Sequence, residues 1–132
     1  MIDHTGVTVS DLARSCAFYE AALAPLGYAV RHRVKDIAIG FGAERDQHGG
    51  ADPGGDFWIG KGTPQQPHVH VAFRAMSHAE VDAFHAAALA AGGTDHGAPG
   101  NRDHYHTGYY AAFVLDPDGH NIEAVCHTPI AD

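Results

Sequence analysis

Apolar positions follow two rhythms along this chain, and the same order of rhythms occurs twice. Residues 2–9 (IDHTGVTV) end with Val7 and Val9 separated by a polar residue, the period of two expected of a half-buried strand. Asp11 stands where a helix N-cap is needed. Leu12, Cys16, Tyr19, Leu23 and Leu26 then recur at helical spacing, and Gly27 ends the helix. Residues 28–34, 36–42 and 56–61 read as three further strands, with the glycine-rich stretch 49–55 as a loop. From Pro67 the plan restarts. HVHVAF reads as a strand, and Ser77 with Glu80 forms a capping-box pattern before a helix reaching about Ala91. Strands follow near 94–98, 108–115 and 120–127, the last two joined by a turn at Asp116-Pro117-Asp118-Gly119.

The restart is also visible as self-similarity. A shift of 66 residues lays His4 on His70, Ala17 on Ala83, Phe18 on Phe84, the run 21–24 on 87–90, and Gly27 on Gly93. The turn at 52–55 matches 116–119 at a shift of 64, as a loop-length difference between copies would produce. The chain therefore reads as an α+β protein. Residues 1–132 form one domain of two βαβββ modules, about 1–62 and 67–128, making a curved mixed sheet around a cup. Alternation turns Val7, Val9, Val69, Val71 and Phe73 toward the helices and leaves His4 and His70 on the cup side, with His68 at the same parity. Glu123 lies in mid-strand among apolar neighbours, where a carboxylate is costly unless it is paired, hydrogen-bonded or bound to metal. Trp58 is expected to pack under the sheet.

Charge removes several classes of function. Sixteen acidic against eight basic residues give a net charge of −8, which argues against nucleic acid and against an anionic membrane surface. No apolar run reaches transmembrane length and no basic-then-apolar leader opens the chain, so a cytoplasmic protein is expected. Cys16 and Cys126 read as reduced core residues, and a chain of 132 residues can bury a core without a staple. Histidine is the unusual residue, at 12 of 132, and the question is which few converge. His96, His120 and His127 are assigned to the surface. The segment 101–110 (NRDHYHTGYY) reads as a polar, aromatic rim offering acid–base groups and anion contacts through Arg102, His104, Tyr105, His106, Tyr109 and Tyr110. The loop 44–55 is a candidate flap.

Three stretches together resemble one family. IDHTGVTVSDLARSCAFYEAALAPLGY, HVHVAF and FVLDPDGHNIEAV are similar, in order and spacing, to the first strand and helix, the fifth strand and the final hairpin of the vicinal-oxygen-chelate superfamily, which includes glyoxalase I, bleomycin-resistance proteins and extradiol dioxygenases. The resemblance implies metal ligands at His4, His70 and Glu123, a divalent Fe, Mn, Ni or Zn ion, and open coordination positions for a small substrate bound through two adjacent oxygens. It implies lyase, isomerase or ring-cleaving dioxygenase chemistry; beside the metal, His106, Tyr109 and Glu123 are the expected catalytic groups, and Arg102, His104, Tyr105, Phe57, Ile59 and Phe113 are expected around the substrate. The fourth ligand of glyoxalase I has no counterpart: the shift of 64 sets Ile59 opposite Glu123, and Asp56 has the wrong parity. Phe113 stands where related dioxygenases and thiol transferases carry a tyrosine, and Gly6 where the transferases carry a hydroxyl residue. The resemblance also implies a homodimer, with the cup formed within one chain or across two. The alternative function is sequestration of a small molecule without chemistry, as in bleomycin resistance.

Overall fold

The computed structural model describes residues 1–43 and 53–127. Most of the expected flap, and the last five residues, lie outside them. In the first module β1 (Thr5–Val9) leads to α1 (Leu12–Leu23), β2 (Tyr28–Val34), β3 (Ala38–Ala43) and β4 (Phe57–Lys61). In the second, β5 (His70–Arg74) leads to α2 (His78–Ala90), β6 (Thr94–Asn101), β7 (Tyr110–Leu115) and β8 (Asn121–Cys126). Each module is a four-stranded mixed sheet, ordered β1-β4-β3-β2 and β5-β8-β7-β6. The first and last strands of each module pair in parallel, and the other pairs are antiparallel.

Local chemistry sets the ends of the elements. The Asp11 carboxylate accepts from Arg14 N and the Ser77 hydroxyl oxygen accepts from Glu80 N, each satisfying an amide that the first helical turn leaves without a partner. α1 stops at Leu23, earlier than the spacing suggests, because Pro25 has no N–H to continue it. The chain tightens into a 3-10 turn at Ala24–Leu26 and leaves through Gly27 at φ 85°. β1 begins at Thr5 instead of residue 2. It is an edge strand whose neighbour β4 begins at Phe57, so His4 precedes the strand and does not lie within it.

Both modules share one core. Val9, Phe18, Tyr19, Phe41 and Ile59 from the first and Phe73, Phe84, Val114 and Ile122 from the second belong to a single buried cluster. The Phe57 and Phe73 rings meet edge to face at 5.1 Å, and Tyr19 OH donates to Asp116 Oδ2 across the modules at 2.6 Å. Each sheet therefore turns its helix side inward and its other, open face away from the core. Among the described residues the two sheets share no strand pairing, so each module presents an open face, or half-cup, of its own.

His120 corrects the sequence reading. It is fully buried, not on the surface: Val69 N–H donates to its Nδ1 at 3.0 Å, and its Nε2 lies 2.9 Å from the carbonyl of Thr8. An amide can only donate and a carbonyl can only accept, so His120 is the neutral tautomer with its proton on Nε2. It ties β1 to the start of β5. Cys16 and Cys126 are buried and free, as expected.

Candidate functional site

The site is built on β8, the second strand of its sheet. Glu123 sits there with Ala72 of β5 on one side and Phe113 of β7 on the other. By alternation it belongs to the open face, yet it is only 2% exposed, because neighbouring side chains close over it. One of these is His70, whose Nε2 lies 3.0 Å from Glu123 Oε1. The other is Tyr109, whose phenol donates to Glu123 Oε2. Both carboxylate oxygens are thus engaged, which is what allows the charge to be buried.

The histidine geometry constrains the chemistry. His70 Nδ1 lies 3.0 Å from the carbonyl oxygen of Asn121, which can only accept, so Nδ1 carries a proton. Nε2 then presents its lone pair to the carboxylate, unless a cation stands between the two atoms. A divalent metal is a cation that suits an imidazole nitrogen and a carboxylate oxygen. A carbonyl fixing the far ring nitrogen is the usual support of a metal-binding histidine. The buried Oδ1 of Asn121 beside the pair has no hydrogen-bond partner. The donors present therefore fit a metal, but they number two. His4 is exposed and bonded to Asp3 at 2.7 Å, and among the described residues no three His, Cys, Asp or Glu groups come together.

The surroundings sort the remaining candidates. It is His70 that reaches Glu123, whereas His68 bonds Gln66 and packs against Gly119 and His120. Phe113 lies beside His70, rings stacked at 6.2 Å, with the Arg102 guanidinium 5.4 Å above it. Arg102 donates to the carbonyls of Ala98, Gly100 and Ala111, so it braces β6 against β7 where an anion contact was expected. Tyr105 packs on Tyr109 at 4.9 Å and is exposed, with His104 against it. His106 meets the Tyr109 ring at 5.2 Å and places its Nε2 3.0 Å from His127 Nδ1. Tyr110 points to the helix side instead, where its hydroxyl donates to Asp82. Burial, and then the bond to Glu123, push the Tyr109 phenol well above its ordinary range, which makes it a fixed proton donor rather than a base.

Two substrate-contact expectations are overturned. Phe57 and Ile59 are buried in the shared core, on the helix side of β4. The open-face residue between them is Trp58, which was expected beneath the sheet. Register explains the error: Gly6 pairs with Trp58 as Ala72 pairs with Glu123, so the structural shift on this strand is 65 and Trp58, not Ile59, occupies the position of Glu123 in the other module. His127 was also set aside, although its parity with Glu123 on the continuation of β8 places it at the cluster.

Paired βαβββ modules with a histidine and a glutamate on one open face define a vicinal-oxygen-chelate architecture. The chain belongs to the Glyoxalase/Bleomycin resistance protein/Dioxygenase superfamily, whose profile matches residues 1–124. It is similar to a glyoxalase/bleomycin resistance protein from Albidiferax ferrireducens, at 32% identity and TM-score 0.74, over 94% of this chain and 96% of that one. Its fold is also that of a lactoylglutathione lyase from Agrobacterium tumefaciens (17% identity, TM-score 0.65, 96% and 92% covered). A variant of the fosfomycin resistance protein FosX from Listeria monocytogenes, complexed with Mn(II) and a dihydroxypropylphosphonic acid, shares it too (19%, 0.67, 95% and 88%). No curated protein matches the chain. Among the described residues no helix is long and apolar enough to cross a membrane.

Proposed function

We propose that this protein is a metal-dependent enzyme of the superfamily, acting as a homodimer on a small substrate that offers two adjacent oxygens. The observation that carries the reading is the approach of His70 Nε2 to Glu123 Oε1 at 3.0 Å, with the far nitrogen of the ring held by Asn121. His4 lies ahead of β1 in the first module and is not gathered with this pair, so in this reading the third ligand comes from a second copy and each dimer holds two sites. A divalent Fe, Mn, Ni or Zn ion, when bound, supplies a Lewis acid for the substrate oxygens. The chain's own residues do the rest. Tyr109 holds one carboxylate oxygen and leaves the other to face the site. Phe113 gives an apolar wall beside His70. His106, hydrogen-bonded to His127, stands at the exposed edge of Tyr109, where an imidazole suits proton transfer. Lyase or isomerase chemistry and ring-cleaving oxygenation both fit this arrangement.

The test is metal content of dialysed, untagged protein reconstituted with each of the four metals, alongside His70→Ala and Glu123→Gln. One ion per chain in the parent and near none in either variant is the expected result. Mixing His4→Ala chains with Glu123→Gln chains should restore one intact site per mixed dimer, about half an ion per pair of chains at statistical exchange. No metal in the parent would sink the enzyme reading and leave small-molecule sequestration. Metal in the parent with no recovery on mixing would refute the two-chain cup.

A further inference from the structure

Trp58 is the only tryptophan of the chain, and the reading above does not use it. It stands between Gly6 of β1 and Gly40 of β3, so the row Gly6, Trp58, Gly40 crosses the open face of the first module. Neither glycine leaves room for a side chain. A Cβ on Gly6 would lie 2.7 Å from the carbonyl oxygen of Trp58, and a Cβ on Gly40 would lie 2.7 Å from indole Cε2 and Cζ2. The indole is laid down over the backbone of Gly40 and tethered there, its Nε1–H donating to Gly55 O at 3.2 Å. His32 meets it edge-on at 6.0 Å. A ring fixed in this way, partly exposed and flanked by an exposed glycine, forms a flat apolar surface. By register it holds the position that Glu123 holds in the second module.

We infer that Trp58 is a substrate-contacting residue: it stacks against the ring of an aryl substrate, so the enzyme prefers aromatic compounds with two adjacent oxygens over short aliphatic ones. The inference rests on the two-chain cup proposed above, in which Trp58 arrives with His4 from the partner and lies across from His70 and Glu123. The second half-cup agrees with it, since Phe113 stacked on His70 offers another aromatic plane. Offset or edge-on aromatic pairs contribute beyond simple burial, enough for about a threefold to tenfold preference.

Mandelate and hexahydromandelate test this. They share a hydroxyl beside a carboxylate and differ in whether the ring is aromatic. Binding to the metal-loaded dimer is followed by calorimetry and by the emission of Trp58 itself. Mandelate should bind about threefold to tenfold tighter and quench the emission more strongly. Trp58→Leu should lose this preference while keeping its metal content, and Trp58→Phe should retain most of the preference. Equal affinity for the two acids in the parent, or a preference that survives in Trp58→Leu, overturns the inference. If the parent takes up no metal, the preceding reading fails separately. The emission titration at millimolar acid still decides this one, and equal quenching by both acids refutes it.

Discussion

The buried clasp at His120 gives the sharpest test of how the modules are held. Replacing His120 by Ala removes the acceptor of Val69 N–H and the donor to Thr8 O, at a residue with 0% exposure. Each polar group left without a partner costs about 1–3 kcal/mol, and the space vacated by the imidazole adds a cavity penalty. Some relaxation toward water at half-buried Thr8 is expected, so the total is about 3 kcal/mol. For a domain of this size that corresponds to roughly 10 °C in Tm. His120→Asn separates the two bonds. Its side-chain oxygen can take the place of Nδ1 and keep Val69, but it is too short to reach Thr8, so about half of the loss should be recovered. Urea unfolding followed by circular dichroism, with the slope unchanged among the three proteins, measures the difference. A loss below about 1 kcal/mol in His120→Ala would refute the argument that this histidine fastens β1 to β5.

Three further outcomes follow from the structure. Gly40→Ala puts a Cβ 2.1 Å from Gly54 O and against the indole, and should cost at least about 1–3 kcal/mol in the same unfolding assay, with a change in Trp58 emission. Asp11→Ala removes the carboxylate that accepts from Arg14 N and should cost about 1 kcal/mol, with Asp11→Ser close to the parent. In spectrophotometric titration, Tyr19 and Tyr109 should ionise last, since burial and a neighbouring carboxylate raise both phenols, and Tyr109→Phe should remove one late step. Because these folded-state values lie above the unfolded value of about 10, their contribution to stability is complete below that pH and is lost as pH rises through the folded range.

The fold was legible in the sequence because two periodicities and one duplication agree. Asp11, Ser77, Gly27 and the turn at 116–119 are local signals that tertiary structure did not override. The pairing of His70 with Glu123 was legible from the family resemblance, which implies both as ligands, and from the cost of an unpaired carboxylate in mid-strand at Glu123. What failed depended on register. Matching the turns gave a shift of 64, but the added residue falls between turn and strand, and a slip of one exchanges the faces of a strand. That single step placed Ile59 on the open face and Trp58 in the core. His120 was misplaced because composition cannot reveal that a buried histidine has found a carbonyl in another module. Arg102 was read as a free cation because its three carbonyl partners are brought together only by the β6–β7 pairing.

The parallel pairing of first and last strands has a consequence for synthesis. β1 is made at the start of its module but finds its neighbour only when β4 emerges, and β5 waits in the same way for β8. The strand that seats Glu123 is the last of the described strands, and it lies between β5 and β7. A chain interrupted before it has neither the carboxylate nor the strand that aligns His70. Assembly of the face that carries the pair is thus deferred until β8 has been made, however early His70 is in place.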